Sequence, residues 1–192
     1  DDVDKAISIH DELLRSINTP SYVDVSNQSS LLKRVEIRGI NVGERWQLLA
    51  DHARTRTKDH ILTFRDVHFC LAMAAAGQLE EARDYIKSME EFSDVNHNWT
   101  AKVTKSTLIP LCEGIVAYEA NEYAAACDIL WPLRNDLAPV GGSHTQRDLF
   151  RQILEDAAGK CEQTNISRHL LSERILQRPN DVTYQRLYQA LK

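Results

Sequence analysis

Between Leu108 and Leu133 the chain reads LIPLCEGIVAYEANEYAAACDILWPL, and few backbones accommodate that string. Apolar residues follow helical spacing on both sides of Ala120-Asn121, which predicts two antiparallel helices joined by a tight turn. Gly114 makes the first helix small at one point, and Tyr123, Ala126 and Leu130 recur at helical spacing on the second. Small residues at facing positions let two backbones approach closely, while the aromatic and the leucine fill the groove beside them. Gly114 is therefore expected to face Ala126. The string HFCLAMAAAGQLEEARDYIKSM repeats the pattern: Cys70 precedes a turn at Gly77, and Leu79, Ala82 and Ile86 follow it. A helical hairpin used more than once is the organising unit.

The rest of the chain reads as further helices. Val3, Ala6, Ile7, His10, Leu13, Leu14 and Ile17 fall on one stripe, the mark of an amphipathic helix, which Pro20 stops. Helices follow over about residues 24–38, with Leu31, Leu32 and Val35 inward, and 44–55, with Trp46, Leu49 and Ala53 inward. Two more span about 62–76 and 79–92, the first opening on Thr63 and Asp66 at capping-box spacing. Residues 93–105 are the least regular stretch and are expected to form a loop. After the hairpin, Gly141-Gly142 makes a turn and Ser143-His144-Thr145-Gln146 a capping box. The helix it opens runs to about Lys160 with Leu149, Phe150, Ile153, Leu154 and Ala157 inward. Residues 165–177 and 181–191 complete the chain. No stretch alternates as a strand does, so the predicted fold class is all-α.

Apolar residues make up 43% and charged residues 27% of the 192, a composition that suits one sizeable core or several stacked hairpins. A net charge of −5 gives no reason to expect a nucleic-acid partner, whose binding rests on phosphate neutralisation. No apolar run approaches the roughly 20 residues that a membrane span requires. Cys70, Cys112, Cys127 and Cys161 are widely spaced without a CxxC pair, and read as reduced, small hydrophobes of a cytoplasmic protein. Three glycosylation sequons, at Asn27, Asn98 and Asn165, suit a secreted protein instead. Asn27 and Asn165 lie near helix starts, where capping also explains them. The compartment stays open between these two readings.

Val3/Ala6, Leu79/Ala82 and Tyr123/Ala126 can be set in one frame. A large residue three before an alanine, with a leucine-like residue four later, resembles the second helix of a tetratricopeptide repeat. Longer strings extend the likeness: Val42-Gly43-Glu44-Arg45-Trp46, then Asp59-His60-Ile61-Leu62-x-Phe64-x-Asp66-x-His68-Phe69, then Leu111-Cys112, then Gly141-Gly142-Ser143-x-x-Gln146-Arg147-Asp148-x-Phe150. In this order they resemble strings of the tetratricopeptide repeat protein 38 family, over about Gly39 to the C-terminus. The resemblance implies antiparallel helical hairpins stacked in a superhelix, an α-solenoid. It further implies that residues 1–192 are a single helical-repeat domain matching the C-terminal half of a longer polypeptide, and it implies fold more than function. In that frame Val3 and Ala6 sit on a second helix whose first helix is absent. The N-terminal half of the same polypeptide, or a second copy, is then expected to cover Val3, Ile7, His10 and Leu14.

Asp59, His60, Asp66 and His68 form the one cluster with ligand-type side chains. On one helix, positions 60 and 68 differ by about 12 Å of rise, too far to share a metal. The spacing favours a structural role, with Asp59 capping the helix and the histidines bonding between hairpins; no metal or cofactor is called for. His52, Arg54, Arg56 and Lys58 make a local basic patch that suits either an anionic ligand or a solvated helix end. Ser143-His144 lacks the strand–turn–helix setting of a nucleophile elbow. Arg147 and Asp148 are expected to make ion pairs between helices, and Trp46 and Trp131 to lie in the core. Taken together, these readings predict a helical-repeat scaffold that receives a peptide or protein on its concave face. The alternative is an enzyme or small-molecule or metal-binding protein with a pocket near His60, Asp66 and His68. Trp46, His52, Arg56, Asp59, His60, Asp66, His68 and Arg147 are the expected ligand-binding residues.

Overall fold

The computed structural model describes residues 3–14 and 21–191, so Ile17 and the stop at Pro20 lie outside it. Helix α1 (Val3–Ile9) widens into a π-type segment over His10–Leu14, and α2 (Tyr22–Ile37), α3 (Arg45–Arg54), α4 (Thr63–Ala75) and α5 (Leu79–Val95) follow. Helix α6 (Trp99–Val103) passes through a second wide turn, Thr104–Leu108, into α7 (Ile109–Glu119). The chain then continues through α8 (Tyr123–Leu133), a 3-10 turn at Ala138–Val140, α9 (His144–Lys160), α10 (Thr164–Gln177) and α11 (Val182–Ala190). The described residues contain no strand, and the fold is all-α. None of these helices is long and apolar enough to cross a membrane.

One turn geometry links successive helices. At the end of α4, Gly77 adopts φ 80° and its N–H donates to the Ala74 carbonyl, while the Gln78 N–H donates to Met73. The same pair of bonds recurs at Asn121 (φ 62°), to Tyr118 and Ala117, and at Glu162 (φ 56°), to Gly159 and Ala158. A left-handed residue followed by a back-bonded N–H satisfies the last carbonyls of a helix and turns the chain sharply. In all three, the back-bonded residue is also the N-cap of the next helix, so α4/α5, α7/α8 and α9/α10 become antiparallel neighbours. The sequence frame shows only the first two. In the third, Thr164 and Ser167 hold the places of the large residue and the alanine.

The core centres on α4, which packs against α2, α3, α5 and α7. Eleven of its 13 residues are buried, so it has no solvent face, unlike the helices of the Leu108–Leu133 hairpin, whose α8 exposes Ala124, Ala125 and Asp128. Predicted inward residues of α2, α3 and α9 are in the core or packed on it. On the N-terminal stripe, His10 is buried, whereas Ile7 is only partly buried against the core, and the side chains of Val3 and Leu14 lie outside those described. A bidentate pair from Arg45 to Asp11 fastens this segment, and it holds the Asp11 carboxyl well below the usual carboxylate range.

Three local expectations fail for physical reasons. Residues 93–105 are not a loop: α5 continues to Val95, and Asn98 caps α6 by accepting from the Ala101 N–H at 2.9 Å. Thr63 and Asp66 make no capping box, because the Thr63 hydroxyl donates to the Val140 carbonyl at 2.9 Å and Asp66 turns inward. Gly114 does not face Ala126. A β-carbon there would stand 2.5 Å from Leu130 Cδ2 and 3.3 Å from Ile129 Cγ2. The close approach of α7 and α8 is real, but it is filled one turn further along α8. Gly114→Ala is therefore expected to destabilise the chain by about 1–3 kcal/mol through overpacking, read as a lower midpoint in urea. An unchanged midpoint would show that Leu130 moves aside freely.

Candidate functional site

Of the predicted cluster, the structure joins His60 to Asp66 and separates His68. His60 is swung inward by a left-handed backbone (φ 32°), unusual for a residue with a side chain. Its Nδ1 lies 3.2 Å from Asp66 Oδ2 and its Nε2 3.0 Å from Ser88 Oγ, which sits against the Thr57 and Tyr85 carbonyls. Arg65 donates from Nε to the other carboxylate oxygen at 2.9 Å, and its Nη2 stands 2.8 Å from the same oxygen as an ion-pair contact. Tyr85 stacks on the imidazole and Phe92 tilts against it. Burial and the neighbouring Asp66 carboxylate push the Tyr85 hydroxyl far up, so it stays protonated. The result is a closed polar knot under α5.

His68 faces α9 instead. Its Nδ1–H donates to the Phe64 carbonyl at 2.7 Å, and its ring lies against Phe64 and Phe150. Burial pushes its pKa down to about 4, leaving a neutral ring at pH 7. Asp59 is exposed and approaches Arg65 at 3.7 Å; it does not cap α4, whose N-cap Leu62 has no side-chain cap. Among the described residues, no three His, Cys, Asp or Glu side chains are grouped to hold a metal.

The other expected residues are scattered. Trp46 is buried and donates from Nε1 to Glu36 Oε1 at 2.8 Å. His52 is half-buried edge-on to Phe69, with its pKa lowered by burial and then by Arg56, which is itself exposed. Asn27, Asn98 and Asn165 are exposed, and Ser29 of the first sequon is fully buried inside α2.

Among the surface depressions of the described residues, two stand out by their lining. The first is an apolar cleft of about 390 Å³ between the starts of α2, α4 and α6 and the segment before α9. Trp99 (71% exposed), Ile61 (67%), Leu62 and Tyr22 stand at it with their apolar surfaces in water. Its floor is Phe64, over which Gly141 and Gly142 pass. A β-carbon on Gly142, where φ is +74°, would stand 2.4 Å from Phe64 Cε2, so only glycine fits there. Two of the strings quoted above for the family resemblance thus meet at this floor.

The second is a groove of about 340 Å³ lined by Arg134, Arg147, Arg151, Arg174 and Arg178, with His144, Thr145 and Asp148. Arg147 alone was expected at a site, and its role differs from the expected ion pair: its guanidinium donates to the Gly141 and Gly142 carbonyls. Asp148 does bridge helices, pairing with Arg174 of α10. A usable signal was present in the sequence, since Arg147/Arg151 and Arg174/Arg178 both stand four apart, on one face of a helix each.

No protein-family model matches the chain, and no solved structure matches it.

The buried knot has a measurable weight. Asp66→Ala leaves Arg65 buried without its carboxylate, and should cost about 3–5 kcal/mol in urea denaturation at pH 7. A loss under about 1 kcal/mol would mean that solvent reaches Arg65. His68 sets a pH dependence. Above pH 6.5 its ring is neutral in both the folded and unfolded chain. Between pH 6.5 and 4 only the unfolded chain takes up the proton, so the fold loses stability, approaching about 3 kcal/mol at pH 4. In His68→Gln that fraction of the acid sensitivity should vanish; identical pH profiles for parent and variant would contradict it.

Proposed function

We propose that this chain is a helical-repeat scaffold of the tetratricopeptide kind, with hairpins stacked as an α-solenoid, that receives a peptide or protein partner. The observation that carries the reading is the cleft of exposed Trp99, Ile61, Leu62 and Tyr22 over a pinned floor. A contiguous apolar depression with a tryptophan at its edge is the usual anchor point of a protein interface. Recurrent hairpin turns support the repeat reading, since a solenoid is built by stacking like hairpins. The resemblance to the C-terminal half of the tetratricopeptide repeat protein 38 family points the same way. An enzyme or small-molecule site at His60, Asp66 and His68 finds less support, because neither the cleft nor the groove is lined by any of the three.

Panning a displayed peptide library against the 192-residue chain should enrich sequences that share a large apolar anchor. Trp99→Ser combined with Ile61→Ser should weaken the enriched peptides at least about tenfold in fluorescence anisotropy, as hot-spot anchors do. Both side chains are exposed, so the fold tolerates the change. Equal affinity for parent and variant would remove the cleft from the function.

A further inference from the structure

We propose that the groove between α8, α9 and α10 binds a small phosphate-bearing molecule. Five guanidinium groups reach it from three elements: Arg134 at the C-cap of α8, Arg147 and Arg151 on α9, Arg174 on α10 and Arg178 at its C-cap. Asp148 is the one carboxylate in the lining. Gathering like charges costs energy unless an anion offsets them, and this chain is acidic elsewhere, with a net charge of −5.

Two of the five are neutralised by the fold and form a built base. Arg174, only 2% exposed, donates from Nε to Glu155 at 2.7 Å and from Nη1 to Asp148, while its Nη2 has no hydrogen-bond partner. Arg151 pairs with Glu173 at 2.5 Å. Three are not neutralised. Arg134 stacks on the Trp131 ring at 3.6 Å and donates to the Trp131 carbonyl at 2.8 Å. Arg147 meets two carbonyls and approaches His144 Nδ1, and the exposed Arg178 side chain makes no ion pair among the described residues. Three cations without an ion pair among the described residues face one depression, and the five arginines outnumber their three carboxylate partners by two.

The arrangement selects the ligand chemistry. A carboxylate is flat, carries one charge and is satisfied by a single guanidinium fork. A phosphate group carries up to two charges on three oxygens that point in different directions, which suits cations converging from separate helices. His144 and Thr145 come from the first turn of α9, a 17-residue helix, whose positive end adds to the same field. The volume lies at the small end of ligand sites, room for a phosphorylated metabolite-sized molecule and not for an extended chain. This inference is independent of the scaffold reading, since groove and cleft share no lining residue.

Calorimetric titration of the full 192-residue chain with pyrophosphate, at a fixed ionic strength of about 0.15 M, tests it. Saturable one-to-one binding is expected, weakened at least about tenfold in Arg178→Glu and in Arg147→Gln. Arg178→Glu changes an exposed side chain and leaves folding alone, so a loosened loop in Arg147→Gln cannot mask the outcome. Citrate should bind at least about tenfold more weakly than pyrophosphate, and Trp99→Ser should leave pyrophosphate binding unchanged. The absence of saturable heat, or parental affinity in both arginine variants, would overturn the site. Citrate binding as tightly as pyrophosphate would assign the groove to carboxylates and overturn the phosphate chemistry.

Discussion

Burying the Asp66 carboxylate in the first turn of an all-round buried helix is the constraint on which the surrounding structure depends. An ion of that kind costs several kcal/mol to take out of water unless its oxygens are fully engaged. Its own neighbour Arg65 answers on one side. The other side needs His60, and His60 reaches inward only because its backbone takes a left-handed turn. Holding the far edge of the imidazole then requires Ser88 at one register of α5, with Tyr85 and Phe92 closing over the ring. The path of residues 57–62 and the seating of α5 follow from one side chain. A histidine–aspartate pair that looks like acid–base equipment in the sequence is, in space, a clamp between helices.

The hairpins at Gly77 and Asn121 were legible because glycine or asparagine marks the left-handed position and an apolar frame follows it. The third was not. Its left-handed residue is Glu162, and Thr164 and Ser167 replace the apolar pair, so only the hydrogen-bond geometry reveals the repeat. Residues 99–105 lacked periodicity for a related reason: a short helix has little intrinsic stability and is held by packing, here through buried Ala101, Val103 and Thr104. The inward faces of α2, α3 and α9 were read correctly, since burial of one stripe is what periodicity reports.

Site residues were less legible than the fold. Clustering in the sequence drew attention to Asp59, His60, Asp66 and His68, yet the left-handed turn at His60 and the first turn of α4 send His60 and Asp66 toward α5, while α4 sends His68 toward α9. The arginines of the groove are spread from residue 134 to residue 178; local spacing pairs Arg147 with Arg151 and Arg174 with Arg178, but each pair by itself reads as a solvated helix face. Only the turn at Glu162, by laying α10 back along α9, sets Arg174 and Arg178 beside Arg147 and Arg151. Local spacing shows charge gathered within a helix, not that two such helices converge.

The segment from Leu137 to Arg147 joins the two surface depressions. Leu137 and Val140 are buried pegs; Pro139 to Gly142 rim the cleft, while Ala138, His144 and Thr145 rim the groove. Arg147 is the shortest link, lining the groove while its guanidinium holds the Gly141 and Gly142 carbonyls over Phe64. Phe64 rests on His68, and His68 on Phe150, so the cleft floor continues into the core as one stack of rings. A ligand in the groove alters the cleft only if it binds the arrangement with Arg147 on those carbonyls and the arrangement with Arg147 released at different affinities. With the loop held at Gly142 by a contact that excludes any β-carbon, the released arrangement has little room. Physical continuity between the two surfaces therefore favours a rigid frame that presents both, and coupling between them would have to be carried by the Arg147 side chain itself.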